Sequence, residues 1–358
     1  MELDDLAQVV LGVGVAIVVG TMAVFAFWRA RSMFKIWRAG ARRLHSTRAT
    51  IWRDPGVVES LDLAAGPGGQ DGAPEAPFAF IEEPLGGSQP CVSVRDRRGR
   101  VWRVKWGHEV QVEPLATRLA WAAGYYVEIC YYVAAGHITG ASDLRRATEA
   151  IDAEGRFTAA RFELDDPAII KHFDEHSWAW HDNPFVGSPE LNGLKIVMMW
   201  LSNWDAKDVR DVARGSNTAI FEVLTDGGGS RRRRREARYL IIDWGGALGR
   251  WGSIVRRGRW DCQGFGDESD RLIAGVDGDH VRFGYTGQRT ADIATGIRVS
   301  DVRWLMRTVG RLTDAQIEAA VAASGGTPEE IACFSAGLRR RLDHLQAVTA
   351  PAAVPSQA

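Results

Sequence analysis

The stretch from Leu201 to Gly249 constrains this chain more than any other. An apolar run before it, Leu191 to Leu201 (LNGLKIVMMWL), has helical spacing and leads into a polar cluster, Asn203-Trp204-Asp205-Ala206-Lys207-Asp208. The helix therefore delivers Asn203 and Asp205 into a loop at its C-terminal exit, and loops on rigid supports carry chemistry. Further on, Tyr239 to Ile242 (YLII) reads as a buried strand. Asp243-Trp244-Gly245-Gly246 breaks it with a carboxylate followed by glycines that permit a tight turn. Carboxylates at a helix exit and at a strand end point to a metal ion.

The order helix, N-x-D-x-K, then a strand ending in IDWG resembles the catalytic core of the protein-kinase-like superfamily. It is most similar to the atypical branch, with its phosphatidylinositol kinases, HipA-type kinases and secretory-pathway kinases, where N-x-D-R/K stands in place of H-R-D. The resemblance implies that Asp205 is the catalytic-loop aspartate and Asp243 the metal-binding aspartate, with Lys207 stabilising charge on the transferring phosphoryl group. It also implies a second metal ligand, usually an asparagine about five or six residues after the catalytic aspartate. Arg210 and Asp211 stand there. Asp211 offers a hard oxygen; Asn217 offers an amide oxygen just before an expected strand at Thr218 to Phe221, and that position favours it. Val212 to Ser216 would then be a short insertion.

Upstream, FAFIEEPL from Phe78, CVSVRD from Cys91 and RVWRVKW from Arg100 read as strands around two turns, an antiparallel meander. Alternation puts Val101, Arg103 and Lys105 on one face of the third strand and Trp102, Val104 and Trp106 on the other. Glu109 to Gly124 has Leu115, Leu119 and Ala122 at helical spacing and ends at a capping glycine. Lys105, Gly107, Glu109, Glu113, Ala116 and Leu119 match the superfamily pattern K-x-G followed by E-x-x-x-E-x-x-A-x-x-L. By resemblance Lys105 binds phosphate and pairs with Glu113, while Gly86, Gly87 and Ser88 form the loop over the ATP phosphates. Tyr125 to Ala134 reads as the strand that closes this lobe, and Arg156 to Leu164 as a further strand.

No charged residue occurs from Leu6 to Trp28, a span of 23 residues. That is long enough to cross a bilayer of roughly 30 Å as a helix. Acidic residues precede it and Arg29, Arg31, Lys35, Arg38, Arg42, Arg43 and Arg48 follow, which argues against a cleaved signal and places the globular part in the cytoplasm. Basic and aromatic residues alternate from Ser32 to Trp52, as in a stop-transfer flank or an amphipathic helix on anionic lipid. Ala64 to Pro77 (AAGPGGQDGAPEAP) reads as a flexible linker.

The 358 residues, 46% of them apolar, suffice for a sizeable core, and a net charge of -1 gives no ground to expect a nucleic-acid partner. Cys91, Cys130, Cys262 and Cys333 have no metal-ligand spacing and read as free, mostly buried thiols. His172, His176, Trp178, Trp180 and His181 cluster without matching a zinc signature. Arg231 to Arg235 cannot be buried together and are expected on an exposed hairpin insertion spanning Thr225 to Glu236. Val299 to Val309, Thr313 to Ser324 and Thr327 to Val348 read as helices, the last two opened by capping boxes.

The expected fold is α+β: a two-lobed kinase-like domain with an antiparallel-sheet N-lobe and a mostly helical C-lobe, preceded by one transmembrane helix. The divisions are 1–28 anchor, 29–77 basic juxtamembrane segment and flexible linker, 78–135 N-lobe, 136–348 C-lobe and 349–358 disordered tail. The implied activity is ATP- and magnesium-dependent phosphoryl transfer to an unidentified hydroxyl acceptor. Two other readings stand beside it: a kinase-like pseudoenzyme that binds nucleotide or a partner as a membrane scaffold, and a tethered binding module whose acidic cluster is structural.

Overall fold

The computed structural model describes residues 48–87, 89–165, 177–227, 230–252 and 257–350, the side chains of 212–213 and 224–234 excepted. The apolar segment 6–28, the basic flank up to 47, Ser88, His172, His176 and the tail 351–358 lie outside the described residues. Among the described residues no helix is long and apolar enough to cross a membrane.

Strands β2 (Phe78–Glu82), β3 (Cys91–Arg95), β4 (Val101–Lys105), β5 (Cys130–Thr139) and β6 (Arg156–Leu164) close a barrel in the order β2-β3-β4-β6-β5. Neighbours are antiparallel except β2 and β5, which pair in parallel to shut it. Alternation fills the interior with Val92, Val94, Trp102, Val104 and Phe162, all fully buried. The opposite face of β4 and β6 carries Arg103, Lys105, Arg161 and Glu163, and this polar face looks into the cleft. The sheet lobe therefore ends at Leu164, not at residue 135. Tyr126 to Ile129 is not strand; β5 starts at Cys130, its antiparallel neighbour is β6, and β6 belongs to this lobe rather than to the helical one.

Helix α1 (Val112–Ala122) lies between the lobes, with Leu115, Leu119 and Ala122 buried in the large core. That core is built around α2 (Pro189–Trp200), which Ser188 caps through its Oγ and Pro189 starts at the first helical position. Helix α3 (Cys262–Asp267), the hairpin β9 (Ile273–Asp277) and β10 (His280–Phe283), and a short α4 (Thr290–Ile293) follow; α5 (Val299–Val309), α6 (Asp314–Ala323) and α7 (Pro328–Thr349) complete the lobe. Capping boxes open α6 and α7 as their sequences require. Trp178 and Trp180 are buried against each other and are core side chains, not a ligand platform.

A second sheet, β1-β8-β7, joins β1 (Arg48–Thr50) to the hairpin of β7 (Thr218–Gly227) and β8 (Ser230–Ile241). The backbone of Arg231–Arg235 runs within β8 beside the β7–β8 turn, in the hairpin expected for it.

The expected flexible linker is also folded. Within Ala64 to Pro77, Ala65 is buried, the Tyr131 hydroxyl donates to the Gly69 carbonyl at 2.8 Å, and Gly68 packs so closely on Tyr131 that a Cβ has no room; just before it, Ile51, Val58 and Leu63 are buried as well. Arg100 donates to the carbonyls of Gly72 and Ala73. Arginines on the sheet lobe thus satisfy a backbone too poor in apolar side chains to pack on its own. Two of the four cysteines are corrected as well. Cys262 on α3 and Cys333 on α7 form a disulfide across 71 residues, while Cys91 and Cys130 are free and buried.

Candidate active site

Helix α2 ends at a buried guanidinium. Arg341, fully enclosed on α7 between the rings of Trp251 and Phe265, donates to the carbonyls of Met199 and Trp200 and to Ser202 Oγ. These are the carbonyls that a helix C-terminus leaves without intrahelical partners. Burial lowers the Arg341 pKa to about 9. Ser202 then turns the chain with a φ of 56°, and Asn203 follows.

Asn203 is the clasp of the site. Its Nδ2 donates to the Asp243 carbonyl at 3.2 Å and its Oδ1 accepts from the Asp205 backbone N–H at 3.2 Å, so one amide ties the two acidic loops together. Gly246 lets them touch: a Cβ there would fall 2.8 Å from the Asp205 Cβ and 2.9 Å from Asn203 Oδ1. Tyr285, buried, donates to the Asn203 carbonyl at 2.6 Å.

The Asp205 carboxylate meets Lys207 Nζ at 3.1 Å and accepts from Gln288 Nε2 at 2.6 Å. Asn217, buried just before β7, donates its Nδ2 to the Asp205 carbonyl oxygen at 2.6 Å, which leaves the oxygen end of the amide for a ligand. Asp243 is fixed by its own turn, where Gly245 N–H donates to Oδ1 at 2.9 Å.

A cleft of about 740 Å³ between the lobes is lined by Gly86, Gly87, Lys105, Glu113, Lys207, Asn217 and Asp243. Most of the residues selected from the sequence therefore converge. Asp205 sits beside the cleft through Lys207 and Asn217. Gly87 has a φ of 86°, which favours glycine in the loop over the cleft mouth.

Two assignments change. Glu113 does not pair with Lys105. It pairs with Arg161 at 2.7 Å, Arg161 reaches Glu163 at 2.6 Å, and Lys105 lies 3.6 Å from Glu163. Arg161 stands directly across the β4–β6 ladder from Lys105, and its two-pronged guanidinium reaches both carboxylates. Asp211 does not line Asp243's cleft. It is buried under Arg289, 2.6 Å away, and Arg214, and these arginines occupy both of its oxygens.

The carboxylates that do gather around Asp243 are Glu109 and Glu113, with one oxygen of each of the three within 4.8 Å of the others. Burial, with Asp243 adding to it against the pull of Arg161, raises the Glu113 pKa to about 8. Glu163 behaves in the opposite way. Burial opposes its charge, but Lys105, Arg161 and Arg103 outweigh that and hold it at about 2. Glu128, half-buried in the cleft wall, is pushed well up by desolvation and by Glu163 and Glu113. Three crowded carboxylates on rigid supports suit a hard divalent cation, and Asn217 lines the same cleft.

Sequence reasoning missed Arg161, Glu163, Gln288 and Arg289. The first two had a signal in the period-2 alternation of Arg161-Phe162-Glu163-Leu164. The others come from a loop that folds back on Trp204, where the Gln288 N–H donates to the Trp204 carbonyl at 2.8 Å, and nothing local announces it.

No family model matches the chain, and no curated protein matches it. Similar solved structures include the Rio2 kinase in its ADP/Mg2+-phosphoaspartate complex from Chaetomium thermophilum, 12% identical with a TM-score of 0.31, covering 75% of this chain and 72% of that one. The Golgi casein kinase with Mn/ADP bound is 10% identical with a TM-score of 0.37, covering 83% and 77%.

Proposed function

We propose that this chain is an ATP- and divalent-metal-dependent phosphotransferase of the protein-kinase-like kind, anchored to a membrane by residues 6–28. The observation that carries the reading is the convergence on one cleft of Lys105 from β4, Glu113 from α1, Lys207 from the loop after α2, Asn217 before β7 and Asp243 after β8. Lys105 binds phosphate, and Asp243 holds the metal with Glu109, Glu113 or Asn217 as further ligands. Asp205 accepts the acceptor's proton and Lys207 offsets charge on the phosphoryl group. Such catalysis is positioning and charge neutralisation. The experiment is transfer of label from ATP in the presence of magnesium or manganese, with Asp205→Ala as the control.

One observation favours a second reading. Lys105 lacks a helix carboxylate as its partner because Arg161 occupies Glu113. In the scaffold reading nucleotide raises the melting temperature of the protein, but no label reaches protein, lipid or water.

The basic flank after residue 28 supports a cytoplasmic globular part. The Cys262–Cys333 disulfide favours an oxidising compartment instead. A C-terminal alkaline phosphatase fusion decides: enzyme activity from it puts the domain outside, and silence with good expression puts it inside.

A further inference from the structure

Next to Asp205, sharing Arg214 with the acidic cleft, lies a second cavity of about 850 Å³ lined by four arginines, Arg214, Arg257, Arg259 and Arg289, with His108, Trp204 and Gln288. Asp211 is the carboxylate of the lining and pairs with Arg214 and Arg289, while Arg259 reaches the Glu109 carboxylate at 3.2 Å. Arg257 makes no ion pair among the described residues; its Nε donates to the Trp251 carbonyl at 3.2 Å. Arg257 and Arg259 lie 5.1 Å from the Trp204 ring centroid, so the indole holds both guanidinium groups in place. Trp204 is itself fixed by a 3.1 Å bond from its Nε1 to the Gly258 carbonyl. Arg289 adopts a φ of 55° and is pinned to Asp211. This is a preorganised anion site, and guanidinium forks suit phosphate oxygens. Gln288 lines this cavity and also donates to the Asp205 carboxylate, so whatever fills it lies beside the catalytic loop.

We infer that the acceptor is a small polyol that already carries a phosphomonoester. The arginines hold that phosphate and present a neighbouring hydroxyl to Asp205. This rests on the phosphotransferase reading above. The cavity has the volume of a small-molecule site. In the transfer step a bond forms between the hydroxyl oxygen and the γ-phosphorus of ATP, the bridging bond to the β-phosphate breaks, ADP leaves, and the hydroxyl proton passes to Asp205 and then to solvent. The same polyol phosphate chemistry occurs free in solution and as a lipid headgroup.

The test uses the full chain in detergent or nanodiscs with labelled ATP and manganese. It is offered inositol monophosphate, inositol, vesicles of phosphatidylinositol phosphate in phosphatidylcholine, matching vesicles of phosphatidylinositol, and an acidic serine peptide. The expected result is a KM at least about tenfold lower for a phosphorylated polyol than for its unphosphorylated counterpart, a preference that Arg257→Gln erases. The free and vesicle arms separate soluble from lipid acceptors. Equal use of both partners in each pair, or transfer to the acidic peptide alone, overturns the inference while leaving the phosphotransferase reading in place. Absence of both a nucleotide-induced melting shift and any label transfer defeats the earlier reading instead. The nucleotide melting shift of the Arg257→Gln protein shows whether that variant is folded.

Discussion

The two cavities beside Asp205 are built from opposite charges. On one side Glu109, Glu113, Glu128, Glu163, Asp165 and Asp243 line a cleft in which Arg103, Lys105, Lys207 and Arg214 are the cations. On the other, four arginines and His108 line the wall with Asp211, and one of them, Arg259, reaches across to Glu109 of the acidic cleft. An acidic enclosure is costly unless cations enter, and a basic one unless anions do. Each cavity thus specifies what is to fill it, metal on one side and an anion on the other. Asp205, between them, is held by one contact from each: Lys207 from the cleft and Gln288 from the arginine pocket.

The largest expected effect breaks the acidic side. Asp243→Asn removes charge from the carboxylate group while keeping the side chain's shape. We expect turnover to fall about a thousandfold, as for loss of a group that stabilises the transition state directly. Label transfer at saturating ATP measures it. Turnover within a few-fold of the parent would mean that the acidic cleft is structural and that the contrast between the cavities has no chemical content.

Arg161→Met acts on stability. Arg161 is buried and bridges Glu113 and Glu163, and its removal leaves two enclosed carboxylates without their shared counterion. The expected loss is about 3–5 kcal/mol by denaturant unfolding. A change under about 1 kcal/mol would show that water or Lys105 replaces the guanidinium readily.

The third effect is on metal affinity and pH. Glu113, raised to about 8 by burial and Asp243, is favoured by the fold in its protonated form. That contribution to stability is full below the ordinary value of 4.5 and is lost as pH rises through about 8. Glu163 has the opposite sign: held at about 2, its contribution is present above 4.5 and lost as pH falls through about 2. A divalent cation on Glu113 displaces its proton, so manganese should bind about tenfold more tightly at pH 7.5 than at pH 6.5 and release a proton. Calorimetry in two buffers reads both quantities. Affinity that is flat from pH 6.5 to 8.5 would remove Glu113 from the metal's ligands.

The same contrast explains what could be read from sequence. The acidic cleft was largely legible because its residues sit at element ends that periodicity locates: Lys105 on an alternating strand, Glu113 on a helix with apolar i, i+4 spacing, Asp205 after one helix and Asp243 after one strand. Their partners were less legible. Which cation meets Glu113 depends on the β4–β6 register, and Arg161 wins because its strand lies directly across from Lys105. Asp211 looked like a ligand by its distance from Asp205, but a 3-10 turn at Val209–Arg214 directs it to the arginines instead. The arginine pocket had no signature at all, since Trp204, Arg257, Arg259 and Arg289 meet only through tertiary packing. The folded segment after Arg48 was hidden for a related reason: its order comes from arginines on another element that bind its carbonyls.

The smallest expected effect falls on the residue the two cavities share. Arg214 lines both, its guanidinium is bonded to Asp211, and its side chain is 68% exposed. An ion pair so accessible to solvent contributes little, and Arg289 still covers Asp211 when Arg214 is gone. Arg214→Gln should therefore leave the melting temperature nearly unchanged. Its position at the junction nevertheless places it within reach of anions on either side, a phosphate of the nucleotide or one of the acceptor. We expect KM to rise for both substrates, each by less than about fivefold, because one exposed charge-assisted contact is lost from sites that keep their other cations. Steady-state kinetics with each substrate varied in turn measures the split. If only the nucleotide KM moves, Arg214 belongs to the acidic cleft and the arginine pocket is closed off behind Trp204. If only the acceptor KM moves, the reverse holds. A rise in both makes the two cavities one continuous site, with the phosphoryl group crossing from one to the other at Asp205.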